Sequence, residues 1–308
     1  MDTEAHLLEK EVVFYSDGFK IEGTLCFPDK TGEEEKYPVI IMSHGYGAGR
    51  DEFGDFILLA KKLAKEGFAS LRFDCRGCGY SQYPLGRMLC ATDWRQDLIS
   101  AVYFCSTYPG IDPERIGLFG ESMGGSNVIA ASAFEKISKC VVSLSPIADG
   151  FEWLKNNWSR NSGIDKFNEF LVTIEDDNRR QAVYGKSNLI KMKDALNYEQ
   201  RYLDLIDTLK NRFTVHEFTY YIELSSVNSI IHMKPLNVVG RISPKPLLIM
   251  AGKKDKIVLW EENALLLFEK AGDIKKLEVF DYGEHGLLAE PTKAEAIAYI
   301  INWYKQYL

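Results

Sequence analysis

The amino-acid sequence predicts an α/β protein: a mostly parallel, doubly wound sheet of eight strands with a mainly helical cap inserted into it. Short apolar runs of strand length alternate with stretches of helical spacing through residues 38–145, and the alternation resumes over 246–307. That is the pattern of parallel strands covered by crossover helices on both faces. Between these blocks, residues 147–240 do not alternate and read as helices followed by mixed sequence. At 308 residues the chain also exceeds, by the size of an insertion, the roughly 200–250 residues of one such domain. The expected division is a core of 1–146 and 241–308 with a cap of 147–240.

Taken in order, residues 11–16 and 19–27 are apolar-rich runs that flank Asp17-Gly18, a turn dipeptide, and read as a hairpin. PVIIMS at 38–43 is a continuous apolar run that ends in polar, glycine-rich sequence, as a strand buried on both faces does. Residues 53–66 have helical spacing and stop at Gly67; 68–73 (FASLRF) follow as a strand, and 91–108 as a helix. RIGLF at 115–119 is a strand, 123–134 a helix of small residues, and 139–145 a strand. After the cap come strands at 246–251 and 276–281 and helices at 259–270 and 292–307. Within the cap, helices are expected at 150–158, 164–172 and 188–210, and 225–240 is expected to return to the core edge and shape the leaving-group side of a site.

A net charge of −7 with no Lys/Arg block disfavours nucleic acid or an anionic membrane surface as partner. No stretch approaches the ~20 apolar residues of a membrane span. The opening MDTEAHLLEK is charged rather than an apolar leader, and His6 belongs to this tail. The expectation is a cytoplasmic protein acting on a small molecule. The six cysteines read as free thiols. Cys75 and Cys78 form a C-x-x-C, but structural zinc takes four ligands and no second pair follows. Neither metal nor cofactor is expected.

The chemistry concentrates in Gly120-Glu121-Ser122-Met123-Gly124. A serine at the end of a strand must turn sharply into a helix, and a Cβ two residues to either side would collide with neighbouring backbone. The strand RIGLF before it and the small-residue helix after it supply that context. Ser122 then stands at a helix N-terminus, where unpaired N–H groups favour negative charge, with the Met123 N–H facing a developing oxyanion. A serine nucleophile needs a base and an acid that orients it, in the chain order Ser, acid, His. His285 follows the last strand, where its loop can return over the sheet. His216 and His232 lie in the cap and read as surface or packing residues. Asp255, in a short glycine-led loop after PLLIMA, is the acid. Asp281 and Glu284 are rivals that lie too close in sequence to reach the far ring nitrogen. Ser43-His44-Gly45-Tyr46-Gly47 follows PVIIMS, so the Tyr46 N–H is the second oxyanion donor, and His44 reads as a brace for this loop. Asp74 and Arg76, in DCRGCGYS, read as architecture. Tyr46, Trp153 and Trp158 are candidates to line a substrate pocket, but the cap is no richer in aromatics than the chain as a whole, and core packing is the favoured role of the two tryptophans.

Together, H-G-x-G, D-x-R-G-x-G-x-S, G-x-S-x-G-G, G-x-x-D-x-x-V and G-x-H resemble the α/β-hydrolase superfamily over about 11–145 and 241–308. The closest resemblance is to the feruloyl/cinnamoyl esterase-like and prolyl-oligopeptidase-like hydrolases. It implies Ser122, Asp255 and His285 as catalytic triad, Tyr46 and Met123 as oxyanion donors, and a cap after the strand 139–145. The cap is longer than in cinnamoyl esterases. About ten residues before the first strand leave no room for an N-terminal β-propeller, so a peptidase of that architecture is not expected. A serine rather than an aspartate as nucleophile argues against dehalogenase and epoxide hydrolase chemistry. The activity expected is hydrolysis of carboxylic esters with small to medium acyl groups. A peptidase or amidase using the same residues, or a non-catalytic binding module, are the alternatives.

Overall fold

The computed structural model describes residues 8–28 and 36–308; His6 and the rest of the opening tail lie outside it. β1 (Leu8–Ser16) and β2 (Phe19–Phe27) form an antiparallel hairpin. Asp17 (φ 49°) and Gly18 (φ 83°) turn it with two positive φ values, which match the twist of the flanking strands. β3 (Tyr37–Ser43) is buried along its whole length. It alternates faces as a pleated strand must: Val39 and Ile41 join the core on one side of the sheet, Ile40 and Met42 the core on the other.

A 3₁₀ turn (Glu52–Gly54) leads into α1 (Asp55–Lys65), whose buried Phe56, Leu59, Ala60, Leu63 and Ala64 recur at helical spacing. There follow β4 (Ala69–Phe73), α2 (Asp93–Thr107), β5 (Ile111–Glu121), α3 (Met123–Ser132) and β6 (Cys140–Leu144). The chain leaves the sheet at Leu144 and returns at Leu247, on the strand that pairs directly with β6. Between them lie α4 (Gly150–Asn161), α5 (Ile164–Tyr184), β7 (Leu189–Lys191), α6 (Met192–Leu196), α7 (Gln200–Arg212), β8 (Tyr221–Glu223) and α8 (Leu224–His232). β9 (Leu247–Gly252), α9 (Ala264–Lys270), β10 (Lys275–Phe280) and α10 (Lys293–Tyr307) complete the fold.

The large sheet has eight strands in the order β1-β2-β4-β3-β5-β6-β9-β10. β2 pairs antiparallel with β1 and with β4, and every other pairing is parallel. α2, α3 and α9 bury apolar side chains on one face, α1 and α10 on the other. The chain runs outward from β3 to β4 and then crosses to β5 on the far side of β3. The loops leaving β3 and β5 therefore diverge and open a crevice at the carboxyl ends of the strands, where doubly wound sheets bind ligands. No helix among the described residues is long and apolar enough to cross a membrane.

The inserted segment departs from the expected helices. α5 runs to Tyr184 rather than ending at 172. Residues 188–210 are not one helix: Leu189–Lys191 forms β7, paired antiparallel with β8 from beyond α7, and Asn197 (φ 50°) separates α6 from α7. A partner so distant in sequence overrides local helical preference. α9 is also shorter than expected, because Leu259 and Trp260 accept from Glu262 and Asn263 in tight turns before the helix begins.

Candidate active site

The crevice holds a hydrogen-bonded chain of three side chains from three loops. Ser122 follows β5 with φ 56° and ψ −118°, a left-handed strain for a residue with a Cβ. The turn is possible because glycine stands on either side. A Cβ at Gly120 would lie 2.2 Å from the Gly124 carbonyl oxygen, and one at Gly124 would lie 1.9 Å from that of Ser43. Met123 is the first residue of α3, so its N–H is one of the donors a helix leaves unpaired at its start.

His285 Nε2 lies 2.9 Å from Ser122 Oγ, and Nδ1 lies 2.7 Å from Asp255 Oδ2. The other carboxylate oxygen of Asp255 accepts from the N–H groups of Ile257 (2.8 Å) and Val258 (2.9 Å), which fixes the carboxylate's orientation. The loops that carry Asp255 and His285 are locked together where Gly252 passes Gly283. A Cβ at Gly252 would lie 2.3 Å from the Gly283 carbonyl oxygen, and Lys254 N–H donates to that same oxygen at 2.8 Å. Ser145 Oγ donates to the His285 carbonyl at 3.2 Å. The rival acids face outward: Asp281 pairs with Lys253, and Glu284 with Arg201. Burial opposes charge on His285, but the charge and hydrogen bond of Asp255, with the field of Glu52, more than offset it, and its pKa is raised above the ordinary 6.5.

The loop after β3 supplies the opposite wall. His44 is fully buried; Nδ1–H donates to the Gly45 carbonyl at 2.9 Å and Nε2 accepts from Cys75 N–H at 3.0 Å. Burial lowers its pKa to about 4, so it is a neutral brace. Asp74 accepts from the Arg50 and Tyr80 N–H groups, and Arg76 binds Asp97 and Ser16. Both hold loops, as their motif implies. Cys75, Cys78 and the other four cysteines are buried thiols outside any disulfide. Among the described residues, no group of three or more His, Cys, Asp or Glu could hold a metal ion.

Ser122 and His285 open into a cavity of about 680 Å³, within the range of small-molecule sites. One wall is apolar, built by the insertion from Met192, Leu196, Ile206, Leu209, Phe213 and Phe218; Tyr46 lines the cavity as expected. Trp153 and Trp158 do not. Trp153 Nε1 donates to the Ile257 carbonyl (2.8 Å), and Trp158 Nε1 to that of Ala195 (3.0 Å) while its ring stacks on Phe170. Both tie α4 to neighbouring elements, which agrees with the packing role and corrects their candidacy for the pocket. Residues 225–240 also line none of the cavity. The Ser226 and Ser229 hydroxyls on α8 accept from Met88 and Ala91 N–H, so this segment clamps the 86–91 loop instead.

Beside the apolar wall, the cavity is lined by three acids to which the sequence assigns no role: Glu52, Asp55 and Glu121. Glu52 accepts a short hydrogen bond from Gly45 N–H, one residue before Tyr46. Burial, against that hydrogen bond, raises its pKa to about 7. Glu121 is 5% exposed, and burial followed by the charge of Glu52 raises its pKa well above the usual value. For Glu121 a signal existed, a charged residue on the last buried position of a core strand. For Glu52 there was none.

The sequence profile of the Hydrolase_4 family, described as serine aminopeptidase, S33, matches residues 34–292. Thiohydrolase aneE of Aspergillus aculeatus is 26% identical, over 90% of this chain and 87% of its own. The α/β-hydrolase GrgF of Penicillium sp. sh18 superposes with a TM-score of 0.80 at 21% identity, covering 97% of this chain and 98% of its own. Est1E of Butyrivibrio proteoclasticus, solved with ferulic acid bound, covers 96% and 98% with a TM-score of 0.65 at 18% identity.

Proposed function

We propose that this chain, which belongs to the serine aminopeptidase S33 family of α/β-hydrolases, cleaves carboxylic esters of small to medium acyl groups through an acyl-enzyme on Ser122. The observation that carries this reading is the Ser122–His285–Asp255 chain, at 2.9 and 2.7 Å, opening on a cavity with one apolar wall. His285 Nε2 takes the hydroxyl proton as Ser122 Oγ attacks the ester carbonyl, and Asp255 holds the tautomer that leaves Nε2 free to do so. The tetrahedral oxyanion sits between the Tyr46 and Met123 N–H groups; losing one such donor typically slows turnover by ~10²–10³. His285 returns the proton to the leaving alcohol. It then takes a proton from water as the water attacks the acyl-enzyme, and gives that proton to Ser122 Oγ as the acid leaves.

A thioester is the second substrate class, favoured by the relative named a thiohydrolase that aligns over 90% of this chain. The steps are the same, and a thiol leaves with less help from His285 than an alcohol. Amides are the alternative that demands most of leaving-group protonation, and matched ester and anilide substrates separate the two.

The test is hydrolysis of p-nitrophenyl acetate, butyrate and octanoate by wild type and Ser122→Ala. Turnover by wild type that vanishes in the variant is the expected result, and the chain-length profile sizes the cavity. Equal turnover by both proteins refutes Ser122 as nucleophile. An inactive wild type turns the question to amides and then to binding without catalysis.

A further inference from the structure

The catalytic cavity is bipolar. Its insertion wall is apolar, while its floor beside Ser122 carries Glu52, Asp55 and Glu121. Glu121 Oε2 is buried and has no hydrogen-bond partner. An unsatisfied buried acceptor is costly and calls for an explanation. Glu52 is delivered to the floor at a cost of its own. Glu52 (φ 43°) and Phe53 (φ 56°) are consecutive non-glycine residues in the left-handed region, a strain of the kind that collects at ligand sites.

The cations near this floor do not neutralise it. Arg212 and Lys254 line the cavity but are exposed at its rim, lying over the rings of Phe213 and Tyr282. Glu284 and Glu290 also stand at the rim, paired with Arg201 and Lys293. Lys293 of α10 acts on Asp55 alone among the three. Asp255 adds its negative field at Glu121. The one group of the floor's surroundings that gains positive charge during turnover is His285, whose imidazole interacts with Glu52. His285 protonates the leaving group and interacts with Glu52, which puts Glu52, with Glu121 and Asp55 beside it in the same cavity, toward the leaving-group side of the scissile bond.

We infer that Glu52 and Glu121, with Asp55 behind them, form a subsite for a protonated amine carried by the leaving alcohol of the substrate. The inference rests on the hydrolase reading and narrows its substrate class to esters of apolar acyl groups with amino alcohols. The apolar wall takes the acyl chain. The ammonium gives Glu121 Oε2 its missing donor and relieves the repulsion among three carboxylates held in one cavity. The reaction balances without a co-reactant: water supplies hydroxyl to the acyl carbon and a proton to the alcohol oxygen, and the amine leaves unchanged.

The test compares 2-(dimethylamino)ethyl butyrate with its neutral isostere 3-methylbutyl butyrate, by pH-stat, in wild type, Glu121→Gln and Glu52→Gln. In wild type at pH 8 the ratio of kcat/KM, cationic over neutral, is expected to be about tenfold or more, the worth of one charge-assisted hydrogen bond. It is expected to shrink toward pH 5, where the carboxylates hold protons, and to fall severalfold in each variant. The wild-type ratio decides even if a variant fails to fold. A ratio of one or less in wild type overturns the inference. So does a ratio that neither folded variant changes, or an amine preference found only on the acyl side, for leucine ethyl ester over ethyl 4-methylpentanoate. If neither butyrate ester shows Ser122-dependent turnover, the hydrolase reading is what fails. The subsite is then decided by calorimetry: 3-methylbutylammonium binding tenfold tighter than 3-methylbutanol supports it, and equal binding refutes it.

Discussion

Replacing Asp255 with asparagine tests the proposed mechanism at the point where geometry allows one outcome. The Asp255 carboxylate has two fixed sides. Oδ1 accepts from the Ile257 and Val258 N–H groups, and Oδ2 faces His285 Nδ1. In Asp255→Asn the amide oxygen stays on the two N–H donors. Turning it would set an NH₂ against both and leave two buried donors unsatisfied, at about 1–3 kcal/mol each. The amide nitrogen therefore faces Nδ1 and donates to it, which moves the ring proton to Nε2. His285 then presents a donor to Ser122 Oγ and cannot act as base. A wrong-tautomer substitution of this kind lowers kcat by ~10⁴, which is about 5 kcal/mol of barrier. The assay is kcat for p-nitrophenyl butyrate from pH 5 to 9, corrected with Ser122→Ala. In wild type the acid limb should lie above 6.5, because His285 must lose its proton to act and its pKa is raised. In the variant, where the charge of Asp255 is gone, any residual acid limb should move down. An Asp255→Asn enzyme within tenfold of wild type would refute the assigned roles.

Three further substitutions probe the surroundings. Glu52 keeps its proton in the folded state up to about pH 7, whereas an unfolded glutamate releases it near 4.5. Stability from this group is therefore full below 4.5 and is lost as pH rises through 7, by up to ~3 kcal/mol. Glu52→Gln keeps an oxygen for Gly45 N–H, so its Tm should fall less than wild type's between pH 5 and 8; parallel Tm curves would contradict this. Gly124→Ala, with a Cβ driven onto the Ser43 carbonyl oxygen, should lose about 3 kcal/mol or more by urea unfolding. A variant as stable as wild type would show that the elbow has room the geometry denies. Trp158→Phe removes the hydrogen bond to Ala195 and should cost about 1 kcal/mol of stability. It should leave KM for the p-nitrophenyl esters unchanged, and a large rise in KM would return Trp158 to the pocket.

Much of this site is legible in the sequence because its constraints are local. Glycines two residues either side of Ser122 are there to let backbone pass backbone, and such a requirement shows in a string of letters. The faces of β3 and β9 alternate between the two cores, so their apolar runs announce buried strands. Asp255 sits a few residues past β9 and His285 a few residues past the edge strand β10, and counting from the strand end finds them. The insertion resists the same treatment. β7 exists because β8 pairs with it from beyond α7, and nothing local to Leu189–Lys191 records that. Trp153 and Trp158 look alike in sequence whether they face a ligand or a helix, and the acceptors that settle it, Ile257 and Ala195, lie far along the chain.

The residues in strained backbone add a point that sequence spacing does not. Of the seven non-glycine residues with positive φ among the described residues, four, Glu52, Phe53, Ser122 and Ser145, lie in loops at the carboxyl ends of β3, β5 and β6. Ser122 carries the proposed nucleophile, Ser145 supports the His285 backbone, and Phe53 and Glu52 line the cavity. Each conformation costs of order 1–3 kcal/mol and persists only where packing over-determines it. Selection for stability alone would relax these positions toward glycine or asparagine, and it would replace half-buried Glu52 and buried Glu121 with apolar or amide side chains. That strain and buried charge meet on one floor, within reach of the same hydroxyl, is therefore an argument that the floor is part of what the site recognises and not only a support for the loop above it.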